Sequence, residues 1–316
     1  MDLYLPNLFD RLPKDGRILV AGCGGGFDVY GGVPVYLALK RLGFEVHLAN
    51  LTFAVVKVKG ASRLTPHLTR VHPGVRPAGH YFPEYHLACW LAENDYPSDV
   101  YCFDRTGVQS LRAAYTRLIE ELDIDVVITI DGGTDSLMHG NESGLGTPHE
   151  DASTLVALGG LDVPSYLVCI GFGVDAFHGV CHAHFLENTA ALSREGAFLG
   201  TASLLPQMEE AKLYLDLVAF AGKQDPWQPS IVNTSIASAV EGHYGDVHAT
   251  HRTHGSRLWI NPLMSLYWSY ELKPVVEKLT YRELIEPTES FQDVVRVLHD
   301  VIRDKRGRRP REHIPV

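Results

Sequence analysis

The chain has 316 residues, 45% of them hydrophobic and 21% charged, with a formal net charge of -10 at pH 7. This is ordinary globular composition, long enough for a large α/β domain with a sizeable core. The acidic balance argues against nucleic-acid and acidic-membrane partners, because such binding is carried by clustered Lys and Arg.

Residues 1 to 16 read as a short leading helix around Leu5 to Leu12, closed by Pro13 and Gly16. The opening residues lack a charged region followed by an apolar core, and no later apolar stretch approaches the roughly 20 residues that span a bilayer, so a cytoplasmic protein is expected. Five cysteines, Cys23, Cys89, Cys102, Cys169 and Cys181, contain no Cys-x-x-Cys pair, and buried reduced thiols are expected.

Arg17 to Leu51 reads as strand, glycine loop, helix and strand. Arg17-Ile18-Leu19-Val20-Ala21 has the composition of a buried parallel strand. A helix is predicted over Val33 to Leu42, with Val35, Leu39 and Leu42 on one face, Pro34 in its first turn and Gly43 as its stop. Phe44 to Leu48 is the second strand. In the loop between, Gly24, Gly25 and Gly26 let backbone N–H groups approach a ligand, and the helix start adds partial positive charge. The classical NAD fingerprint is absent, since Phe27 replaces the third glycine and the ribose-binding acid expected after the second strand is missing, with Asn50 near its place. Asp28 puts a carboxylate where a bare anion would sit, which suits ribose hydroxyls or a phosphate bridged by a divalent cation. The alternative is a turn that only packs helix on strand.

The segment 52 to 83 is irregular, carries His67, His72 and His80, and reads either as a lid or as surface padding. Helices are predicted over Glu84 to Glu93 and Val108 to Leu122, with a third strand over Val100 to Phe103. In the second helix Leu111, Tyr115, Leu118 and Leu122 recur at helical spacing and belong to the core.

Asp125 to Ile130 is a buried strand that stops at Asp131-Gly132-Gly133-Thr134-Asp135. Ligands of open α/β sheets lie beyond the carboxyl ends of the strands, so this loop should share a crevice with Asp28. Gly132, Gly133, Thr134, Asn141, Glu142 and Glu150 are candidate ligand-binding residues, and Asp131, Asp135 and Glu142 are candidate metal ligands. Thr147 can cap a helix with Pro148 at its first position; Glu150 and Asp151 then fall in the first turn, so capping chemistry accounts for Asp151. It does not account for Asp131, Asp135 and Glu142. Ser165 to Ile170 forms a fifth strand and ends in Gly171-Phe172-Gly173-Val174-Asp175, followed by His178, His182 and His184. Three strands that end in glycine beside aspartate are the strongest signal in the chain.

Further helices are expected at Glu187 to Glu195, Met208 to Ala221, from Asn233, and at Thr288 to Asp304. Trp259 and Ile260 begin a short strand. His248-x-x-His251-x-x-His254 offers transition-metal ligands but has no Cys or His-Glu-x-x-His partner. The basic run Arg303 to Arg311 reads as a solvated terminus. With no repeat or linker, the expectation is one α/β domain over residues 1–316, with a helical cover from 206–222 and 288–304.

The combination Gly24-Gly25-Gly26-x-Asp28, Asp131-Gly132-Gly133-Thr134-Asp135, Gly140-x-Glu142 and Gly146-x-Pro148-x-Glu150-Asp151-Ala152 resembles the archaeal and bacterial domain-of-unknown-function family numbered eleven fifty-two, over nearly the whole chain. The resemblance implies a Rossmann-like fold, a doubly wound and mostly parallel sheet with helices on both faces and inserted loops. It supplies no activity, so function has to come from the site.

The residues favour an enzyme acting on a nucleoside, a nucleotide or a related glycoside by hydrolysis or transfer at the anomeric carbon. Asp131, Asp135 and Asp175 would supply the carboxylate chemistry, with His178 protonating the leaving group and Mg²⁺ or Ca²⁺ as the expected cation. The partner is a small molecule, and nothing in the sequence excludes a homo-oligomer. Two other readings are a nucleotide-binding or sensing module without turnover, and a metal-dependent hydrolase built on the His248 to His254 cluster.

Overall fold

The computed structural model describes residues 8–256 and 258–314. Its strands in chain order are β1 (Arg17–Gly22), β2 (Glu45–Thr52), β3 (Ser62–Thr65), β4 (Leu68–Val71), β5 (Val100–Asp104), β6 (Val126–Asp131) and β7 (Ser165–Cys169). They continue with β8 (Phe198–Ser203), β9 (Gly245–Asp246), β10 (Trp259–Ile260) and β11 (Leu266–Glu271). The helices are α1 (Asp28–Arg41), α2 (Pro83–Glu93), α3 (Val108–Leu122), α4 (His149–Gly159) and α5 (His182–Arg194). The rest are α6 (Glu209–Gln224), α7 (Ile231–Val240), α8 (Leu272–Lys278), α9 (Arg282–Ile285) and α10 (Phe291–Arg303).

Nine strands form one sheet in the order β3-β4-β5-β2-β1-β6-β7-β11-β8. The middle five, β5-β2-β1-β6-β7, pair in parallel. They run outward in both directions from β1, so the strand order reverses between β1 and β6, where doubly wound sheets open a crevice for ligands. Register brings the carboxyl ends level there: Gly22 lies opposite Ile130, and Asp131 opposite Cys169. Antiparallel strands extend both sides, the β3-β4 hairpin on β5 and then β11 and β8 on β7.

Alternation along the strands divides the core. Ile18 and Val20 face α1, α2 and α6, while Leu19 and Ala21 face α3, α4, α5, α8 and α10. Among the described residues no helix is long and apolar enough to cross a membrane.

Three local expectations are corrected. Helix α1 starts at Asp28 rather than Val33, and Pro34 lies inside it. A Cβ on Gly32 would come within 2.8 Å of Val20 Cγ1, so the glycine there permits close packing of helix on sheet. Part of the segment 52–83 is regular, since it contributes β3 and β4 to the sheet edge. Of the expected leading helix, residues 5–7 lie outside the described residues, and Phe9–Arg11 form a single 3-10 turn.

Candidate carboxylate site

Five aspartates converge where β1, β6 and β7 end. After β1 the chain turns through Gly25 and Gly26, both at positive φ, and the Gly26 amide donates to Leu51 O. This turn delivers Asp28 as the first residue of α1, where its Oδ2 accepts the Gly24 amide at 2.6 Å. Asp131 is the last residue of β6, and its Oδ2 accepts both the amide and the hydroxyl of Ser136. Asp135 opens a 3-10 turn and accepts the Thr147 amide at 2.8 Å and its hydroxyl at 3.3 Å. Asp175, in the 3-10 turn after β7, accepts the Thr134 amide at 2.6 Å and its hydroxyl at 3.3 Å. Asp151 comes from the first turn of α4, and its Oδ1 is buried without a hydrogen-bond partner.

Asp28, Asp131 and Asp151 each offer an oxygen within 4.8 Å of the other two. Two full charges at that separation repel by about 3 kcal/mol at an effective dielectric constant of about 20. Glycine makes the convergence possible. A Cβ at Gly24 would lie 2.6 Å from Asp151 Oδ1 and 2.9 Å from Asp28 Oδ2, and one at Gly133 would lie 2.6 Å from Asp175 Oδ2.

Asp131, Asp135, Asp151 and Asp175 are buried, while Asp28 keeps an edge toward solvent. Burial pushes the Asp28 carboxyl up to about 8, against the Gly24 amide and with help from the Asp135 charge. Burial, then the charges of neighbouring aspartates, holds Asp131, Asp151 and Asp175 well above the usual carboxylate range. Burial also raises Asp135, with both donors of Thr147 opposing. Among the described residues none of the five forms an ion pair; the nearest such contact at the rim is Arg105 to Glu150, at 3.6 Å. His178 is exposed at the rim, on the side of Asp135, whose ionised form it favours.

Two thiols border the cluster. Cys23 points its Sγ toward Asp151 O at 3.9 Å, and Cys169 contacts the Ser136 hydroxyl at 3.5 Å. Burial and the adjacent aspartates push both well up, so they stay protonated and serve as packing rather than as nucleophiles.

The structure therefore assembles Gly24, Asp28, Asp131, Gly132, Gly133, Thr134, Asp135 and Asp175, with Gly25 against Leu51, Gly26 beneath Phe53 and Tyr81, and His178 and Glu150 at the rim. It does not bring in Glu142. That carboxylate is fully buried and accepts from the amides of His139 and Gly140, from Asn188 and from Arg309. Burial pushes it up, yet Asn188 and the two amides hold it below its ordinary value. Glu142 is thus a satisfied structural acid and not a metal ligand, and exposed Asn141 accepts from Arg309 beside it. By the same contacts, Arg308 and Arg309 are docked against the loop at 141–142 and are not part of a solvated tail.

Two further readings change at the site. Thr147 does not cap α4, because its amide and hydroxyl both serve Asp135. Capping does not account for Asp151 either; its orphaned oxygen faces the cluster, and it is the member that helix-start composition concealed. His248 contacts Thr253 and Asp246 and lies edge-on to His254. Among the described residues the one group of three side chains with metal-holding spacing is Asp28, Asp131 and Asp151, so the histidines do not assemble a site.

A family model described as "Protein of unknown function (DUF1152)" matches residues 19–303. No curated protein matches the chain. Among solved structures it is similar to one described as "The crystal structure of the zinc inhibited form of teicoplanin deacetylase Orf2", at 12% identity and a TM-score of 0.38, over 80% of this chain and 97% of that one. At that distance the likeness carries no functional argument.

Proposed function

We propose that this chain, which belongs to the DUF1152 family, is a hydrolase acting on a nucleoside, a nucleotide or a related glycoside, with cleavage at the anomeric carbon. The observation that supports this reading is the set of five aspartates at the reversal point of the parallel sheet, beside a glycine loop and, among the described residues, without an ion-pair partner. Glycoside cleavage needs a group that gives a proton to the leaving group and a carboxylate that is ionised against the developing positive charge. Neighbouring carboxyls whose environments separate their protonation can supply the ionised one. Asp135, held by Thr147 and within electrostatic reach of His178, is the assigned general base, and His178 is the assigned proton donor. Gly24, Gly25 and Gly26 would contact the sugar hydroxyls or phosphate.

The test is a panel of nucleosides, nucleotides, nucleotide sugars and aryl glycosides, assayed with and without divalent cations. Release of a free base or aglycone is expected, and Asp135→Asn should lower turnover by about a hundredfold. Its melting temperature should stay near the parent's, because a loop carboxylate relieved of like charge is no packing loss. Tight binding of a panel member with no turnover would overturn the hydrolase in favour of a nucleotide-binding module, the reading to which the glycine loop alone would point.

A further inference from the structure

We propose that Asp28, Asp131 and Asp151 together bind one hard divalent cation through oxygen, an inference that rests on the reading of this cluster as the reaction centre. Three observations converge. One oxygen of each carboxylate lies within 4.8 Å of the other two, a spacing that one cation can bridge. Asp151, only 5% exposed, has an Oδ1 that no donor in the described structure reaches. That atom lies over Gly24 together with Asp28 Oδ2, in the space that a Cβ at Gly24 would fill. A buried acceptor left bare in this way is costly unless a ligand meets it.

The supporting contacts fit the assignment. Ser136 holds Asp131 by Oδ2, and the Gly24 amide holds Asp28 by Oδ2, which fixes both carboxylates as outer contacts fix metal ligands. Asp135 and Asp175 are each occupied by a threonine's two donors and stand outside the set. Since every offered atom is a carboxylate oxygen, Mg²⁺, Ca²⁺ or Mn²⁺ suits the set, and zinc with its preference for nitrogen and sulfur does not. The solvent-facing edge of Asp28 is the entry, and water completes the shell.

The experiment uses full-length protein without an affinity tag, stripped with EDTA, and measures Mn²⁺ binding by calorimetry and by electron paramagnetic resonance, with Mg²⁺ and Ca²⁺ as competitors. One cation per chain is expected. Asp151→Asn and Asp28→Asn should each weaken binding by at least about tenfold, on the scale of losing a group that supports a metal. His248→Ala should bind as the parent does. Absence of binding by the wild-type protein, which needs no variant to fold, would overturn the proposal, as would parent-like affinity in a folded Asp151→Asn or Asp28→Asn. Stoichiometric zinc abolished by His248→Ala would also overturn it. The two readings fail separately. Cation binding without turnover on any substrate counts against the hydrolase alone, whereas turnover in EDTA by protein that binds no cation counts against the cation site alone.

Discussion

Replacing Asp28 by Asn should change how the stability of the cation-free protein depends on pH. The Asp28 carboxyl is raised from 3.8 to about 8 in the folded state, chiefly by burial. Between those values the folded chain keeps a proton that the unfolded chain has released. A raised acid contributes stability that is fully present below its unfolded value and lost as pH rises through its folded value. One retained proton corresponds to a slope of about 1.4 kcal/mol per pH unit, or about 4 kcal/mol from pH 5 to pH 8. Glu142, whose carboxyl is held low, acts in the opposite sense but only at more acid pH, which leaves this window to the raised acids. Asp131, Asp151 and Asp175 add slope of the same sign in both proteins. Urea unfolding of wild type and Asp28→Asn at pH 5, 6, 7 and 8 in EDTA isolates the one proton. The wild-type curve should fall more steeply by about 1.4 kcal/mol per pH unit, and the variant should be the more stable of the two at pH 8. Parallel curves would refute the claim that the cluster holds Asp28 protonated.

Two other substitutions probe the surroundings. Gly24→Ala would press a methyl group against Asp151 Oδ1 and Asp28 Oδ2; it should weaken cation binding and lower stability by about 1–3 kcal/mol, read by calorimetry and urea unfolding. Arg309→Ala would leave the Glu142 carboxylate buried without its guanidinium and should cost about 3 kcal/mol. A double-mutant cycle with Glu142→Gln checks it, since the paired change should cost less than the two single changes added.

Elements with one clean period were legible in the sequence. Helix α3 spans Val108–Leu122 as its apolar spacing predicts, and β1, β6 and β7 lie where continuous apolar runs end in glycine and aspartate. Because parallel strands present their carboxyl ends on one edge, the sequence alone places the loops bearing Asp28, Asp131 and Asp175 together. What escaped notice depended on distant partners. Glu142 looked like a ligand because Arg309, which neutralises it, lies 167 residues away in sequence. Asp151 looked like capping chemistry because its neighbours across the cluster come from β6 and the start of α1. Strand β11, Leu-Tyr-Trp-Ser-Tyr-Glu, mixes apolar and polar residues and takes its identity from pairing with β7 and β8. The Gly31-Gly32 pair resembles a helix break, whereas the glycines let α1 approach Val20, Ile130 and Ile170.

The chain itself shows how it treats a buried acid that serves structure. Glu142 receives two backbone amides, an asparagine amide and an arginine, and its carboxyl is held below the ordinary range. The five aspartates at the strand ends are handled differently: among the described residues they receive amides and hydroxyls from glycine, serine and threonine but no cationic partner, and an oxygen on Asp151 is left bare. Packing alone gives no reason for the difference, because an amide side chain at Asp28, Asp131 or Asp151 would remove the repulsion of about 3 kcal/mol that any ionised pair among the three feels. Acids held against their own stability at glycine-rich strand ends have the electrostatics of a site that a cation or substrate completes. That contrast between Glu142 and the cluster, within one fold and under one solvent, is the physical ground for reading the strand-end aspartates as functional.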